Sequence, residues 1–158
     1  MSCSSRLFRA AAFTLALAAA PNLAATGAAQ GRSAEDTRAI ESYRITMPML
    51  RRVLPTMYAP GARHCEQRPH RDPMTLSLTE MTRTLEACSP VAKSLREAGV
   101  PPRDAAILYA ALLNVSRQVA LRGGTASTLP PGAVRDNALL LEQNDAEIRK
   151  LTETGGQS

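Results

Sequence analysis

The residues whose types could do chemistry gather in one irregular stretch: His64, Cys65, Glu66 and His70, with a further cysteine at Cys88. They include both histidines of the chain and, apart from Cys3, all of its cysteines. Two chemistries suit them. His64, Cys65 and His70 carry nitrogen and sulfur donors of the kind that hold zinc. Their spacings, Cys-x4-His and His-x5-His, are not the tight pairs of a zinc finger, and no second ligand pair stands elsewhere. Arg63, Arg68 and Arg71 surround the cluster and repel a cation. No metal or other cofactor is therefore expected, and the three residues stay as candidates only. The second chemistry is a disulfide between Cys65 and Cys88. Two cysteines in an oxidising compartment form an even set. A bond between them would tie the irregular stretch to a helix end, worth ~3 kcal/mol by loop entropy. The other reading is two separate thiols, with Cys88 a small residue of the core.

Catalysis has little to work with. Neither cysteine belongs to a C-x-x-C or a nucleophile motif, and both histidines lie in the irregular stretch. Asp145 and Glu147 are two residues apart, so on a helix they do not face each other. Met47, Met49 and Met57 could be soft metal ligands, but Met57 shares a helix face with Leu50 and Val53, where packing explains it. The chain is not expected to be an enzyme.

The compartment is set by the first 30 residues. Arg6 and Arg9 precede an apolar run at 10–20, and small residues follow, the pattern of a cleaved signal peptide. The run is short of the ~20 residues that span a bilayer. Cys3 lies before it and cannot be a lipidated residue after cleavage. The product is expected to be exported, periplasmic or secreted, with no stable membrane span. The whole chain holds 19 Lys and Arg against 14 Asp and Glu, a net +5. Loss of the two leader arginines leaves 17 against 14, or +3. That excess keeps a small domain soluble and gives no reason to invoke nucleic acid.

Helices must position everything else. The longest breaker-free stretch is 102–122, with a dense apolar run at 105–113. Pro101 and Pro102 suit its start, Asp104 meets the positive end of its dipole, and Gly123-Gly124 ends it. It is apolar nearly all round through its first half, as buried helices are, and Leu112 is expected at its centre. Before it, Ser33 caps a helix running to about Arg44. Thr46 and Pro48 open a second pattern in which Leu50, Val53, Leu54 and Met57 share one face. Pro55 interrupts that pattern, so 36–57 is either one kinked helix or two. Ser77 and Glu80 form a capping box for a helix through Cys88. Ser89-Pro90 starts the next, with Gly99 as its stop. Asn137 is expected to cap the final helix, and the tail at 154–158 to be disordered. The loop at 59–75, broken by Pro60, Gly61, Pro69 and Pro73, is irregular. The expectation is all-α: a single domain over 33–153, about five helices packed around 102–122.

Several short segments carry a resemblance. A leader, Tyr-Arg-x-Thr-Met at 43–47, Gly-Val-Pro-Pro-Arg-Asp at 99–104, Leu-Pro-Pro-Gly at 129–132, Asn137 and Ala-Glu-Ile at 146–148 follow one another in this order. The chain resembles a group of small exported bacterial helical proteins with no assigned function. The resemblance implies a helical fold and no activity, ligand or site residue. The expected role is non-catalytic, structural or in binding an unidentified protein partner. The alternatives are a carrier of a small apolar ligand in a cleft beside the central helix, or a thiol or metal site in the 59–75 loop. Oligomeric state is not readable from the residues.

Overall fold

The computed structural model describes residues 31–58, Ala62, Cys65 and residues 72–155. The expected leader at 1–30, most of the 59–75 loop and residues 156–158 lie outside them. Among the described residues the fold is all-α, with seven helices where about five were expected. They are α1 (Ala34–Ser42), α2 (Met47–Met57), α3 (Leu78–Ala87), α4 (Ser89–Glu97), α5 (Pro102–Leu121), α6 (Ala133–Gln143) and α7 (Asp145–Gly155). Helix α5 packs against α1, α3, α4 and α6, while α2 lies against α7 and α4. No helix among the described residues is long and apolar enough to cross a membrane.

The two extra helices come from breaks that the pattern of apolar residues blurs. Residues 36–57 form two helices, separated by an extended link from Tyr43 to Thr46. Pro55 does not end α2, which runs on to Met57. A proline so near the end of a helix removes only one late hydrogen bond, and burial of Leu50, Val53 and Leu54 outweighs it. The final helix is also two. Helix α6 starts at Ala133, after Gly132 with φ +142°, and α7 starts at Asp145. Asn137 therefore does not cap a helix start: it sits inside α6, one turn after the true beginning. The break falls at Asn144, whose side-chain Nδ2 donates to the Leu140 carbonyl at 2.8 Å. Asparagine competes in this way with the helix for its own carbonyls. Helix α7 reaches Gly155, two residues beyond the expected boundary at 153.

The caps of the middle helices follow local chemistry. Ser77 Oγ accepts from the Glu80 amide at 3.2 Å, and Glu80 Oε2 accepts from the Ser77 amide at 3.0 Å, a closed capping box. Gly99, with φ +65°, turns the chain after α4 so that the Val100 amide reaches the Leu95 carbonyl at 2.9 Å. The start of the domain is pinned to the far end of the irregular loop. Gly31 and Leu76 form an isolated antiparallel bridge, and Asp36 Oδ2 accepts from the Leu78 amide at 3.1 Å.

The core divides in two along α5. The larger cluster holds Leu50, Val53, Leu78, Leu95 and Leu108, all fully buried, together with Ala105, Ala106, Ala110 and Ala111. Alanines on α5 let α1 and α3 approach closely. Leu112 is only partly buried against this cluster, so Leu108, one turn earlier, is the central residue. The smaller cluster lies around the second half of α5 and consists of Val115, Ala126, Leu129 and Ala138.

Candidate functional site

Cysteine geometry comes from the joint between α3 and α4. Cys88 alone separates the two helices, closing α3 and opening α4 with extended dihedrals, and is 5% exposed. Ala62 is buried in the larger cluster, and the Cys65 amide donates to its carbonyl at 3.0 Å. That turn brings Cys65 to disulfide distance of Cys88, with Cα atoms 5.7 Å apart. Of the candidate metal ligands, His64 and His70 lie outside the described residues, as does Glu66. Among the described residues no group of three or more His, Cys, Asp or Glu side chains is placed to hold a metal ion.

A second polar site joins the two ends of the domain. Asn137 is 3% exposed and lies against the extended link between α1 and α2. Its Oδ1 accepts from the Ile45 amide at 2.9 Å, and its Nδ2 donates to the Tyr43 carbonyl at 2.7 Å. One side-chain amide thus completes both hydrogen bonds that a neighbouring strand would have supplied. Outside this contact Arg44 pairs with Asp136 at 2.6 Å, both exposed. Further along, Arg51 Nε and its second nitrogen donate to the two Glu147 oxygens at 2.6 and 3.2 Å. The hydrogen bond from Arg51 holds the Glu147 carboxyl below its ordinary range. Burial, and then the negative charge of Asp104, push the Tyr43 phenol above its ordinary value.

The third site is a cleft of about 250 Å³ beside the second half of α5. Arg122 and Gln118 are one turn apart and so share a face of the helix end. Glu41, from α1, lines the same cleft. Leu129 and Pro131, on the loop that leads into α6, and Val134, in the first turn of α6, form its apolar side. Three features shape that loop. Gly123 and Gly124 both have positive φ, and the Gly124 amide donates to the Val119 carbonyl at 2.9 Å, which turns the chain back along α5. Glu142 Oε1 then accepts from the buried Ala126 amide at 2.7 Å, and Leu129 inserts into the smaller cluster. Pro130 and Pro131 finally hold the backbone stiff at the mouth.

Sequence reasoning expected a possible cleft beside the central helix but named none of these residues. The only signal that touches it is Leu-Pro-Pro-Gly at 129–132, which reads as a turn. Glu41 and Arg122 are 81 positions apart, and only the packing of α1 beside α5 brings them to one place. No protein-family model, curated protein or solved structure matches the chain.

Proposed function

We propose that this protein is an exported, non-catalytic helical domain that works by holding a partner protein. The leader pattern at 1–30 and a cysteine pair at disulfide distance support export to an oxidising compartment. The observation that carries the interaction reading is the cleft. Pockets that enclose small molecules typically measure roughly 300 to 1,000 Å³ and cover most of the ligand. At about 250 Å³, and open to solvent between α1 and a proline-stiffened loop, this one suits a side chain projecting from a larger molecule. A carrier of a small apolar ligand is the second reading, favoured by the apolar wall of Leu129, Pro131 and Val134.

Native mass spectrometry of the protein isolated from its compartment tests both. The expected result is a chain without its leader, lighter by two hydrogens for the disulfide, in complex with a second protein. A bound small molecule that survives purification, with no protein partner, would overturn the interaction reading in favour of the carrier.

A further inference from the structure

Helix α7 is docked more shallowly than the helices around α5. None of residues 145–153 is buried, and Ile148 and Leu151 are only partly covered by the larger cluster. Among the described residues α7 rests chiefly on α2, and the Arg51–Glu147 ion pair that joins them reaches solvent. Such a pair adds little to stability. The bend between α6 and α7 is not forced by a helix breaker, since no glycine or proline occurs from Ala133 to Glu153. It is made at one residue, Asn144, with φ −115° and ψ 18°. A change of about 50–60° in each angle would make that residue helical. Helical bonds already stand on both sides of it. The Asn144 amide donates to the Leu140 carbonyl at 3.2 Å, and the Ile148 amide donates to the Asn144 carbonyl at 3.0 Å. Straightening would pair amides that begin α7 with carbonyls that end α6, groups without a partner inside either helix. It would also join two helices of 11 residues, each of a length that is marginal alone, into one long helix. What a straight helix loses is the cover that α7 and α2 give each other.

We propose that a second copy of this chain restores that cover: two molecules straighten α6 and α7 into one helix and exchange α7, each laying it on the α2 of the other. The contacts between α2 and α7 are then remade between copies, Arg51 of one with Glu147 of the other, and the hinge gains helical hydrogen bonds. The cost is that of bringing two molecules together, so exchange grows with concentration. This inference goes beyond the interaction reading above and does not depend on it.

The experiment refolds the oxidised mature protein at concentrations from about 10 µM to about 1 mM and follows its mass by light scattering. Dimer is expected to rise with concentration. Asn144→Ala favours the straight helix at both hinges of the dimer and should raise the dimerisation constant about tenfold. Two glycines inserted after Asn144 loosen the hinge and should return the protein to monomer. Arg51→Glu and Glu147→Arg then distinguish exchange from any other dimer. Each variant alone sets like charges between α2 and α7, whether it stays closed or exchanges with itself. When the two are mixed and refolded together, the exchanged heterodimer carries only opposite pairs. In native mass spectra it should exceed either homodimer about tenfold. Asn144→Ala that stays monomeric at the highest concentration would overturn the proposal. So would a dimer in which mixing the charge variants gives only the statistical share of heterodimer. Either result leaves the interaction reading standing.

Discussion

Along the first half of α5 the core gathers buried residues from α1, α2, α3 and α4, most of them leucine and valine. Along its second half only Val115, Ala126, Leu129 and Ala138 are buried together, and two of those are alanines. The first region is shaped by volume: large side chains fill the space and the helices close on them. The second is shaped by polar ties. Glu142 holds the Ala126 amide and Asn137 holds the α1–α2 link, so the elements keep their places without enough apolar volume to fill the gaps between them. The cleft opens beside this second region. A helical domain can thus leave room for a partner and still be held together, provided hydrogen bonds replace packing at that end.

The sharpest way to break this contrast is a pair of cavity mutants. Leu108→Ala should cost about 4 kcal/mol, because a fully buried leucine leaves a dry void among large neighbours. Leu129→Ala should cost about 2 kcal/mol, since its void adjoins a cleft that water already enters. Urea denaturation of the two variants compares them directly, and equal costs would mean that both regions are filled alike.

Next in size is the covalent tie at the first region. Cys65→Ser should lower stability by about 3 kcal/mol under oxidising conditions. The double variant Cys65→Ser/Cys88→Ser should be no worse, because one bond is lost in both. Thiol titration of the unfolded, unreduced mature protein should find no free thiol, and two would mean the pair is merely close.

A polar tie from the second region comes third. Asn137→Ala leaves the buried Ile45 amide without its acceptor and should cost about 2 kcal/mol. Hydrogen exchange should speed up at Ile45 before it does at Leu108. Unchanged exchange there would show that packing, and not the asparagine, holds the link. The smallest effect is at a cap away from the cleft and from these ties: Ser77→Ala should cost about 1 kcal/mol by freeing the Glu80 amide, read as a lower denaturation midpoint.

What could be read from the residues follows the same division. Where apolar periodicity and caps agree, as in α3, α4 and α5, expectation and structure coincide within a residue or two, because those signals are local. The link from Tyr43 to Thr46 and the break at Asn144 were harder to place. Nothing nearby ends α1 at Ser42; the partner that makes the extended link stable is Asn137, 94 positions away from the Tyr43 carbonyl it binds. The same asparagine looked like a cap because cap and tertiary bond ask for the same side chain. The cleft was illegible for a related reason. Its residues are ordinary surface types, and they become a site only through the approach of α1 to the end of α5.

The bonds made by Asn137, Arg44 and Arg51 carry one more implication, for the order of events as the chain is made. Each joins a residue between 43 and 51 to one between 136 and 147, across 92 to 96 positions. Ribosomes deliver the amino end first. Helix α2 and the link before it are therefore complete long before their partners exist, with Ile45, Leu50 and Val53 awaiting cover. Until α6 and α7 emerge, the early part of this protein is a sticky amphipathic fragment that needs shelter, and a truncation before residue 136 should aggregate rather than merely be less stable.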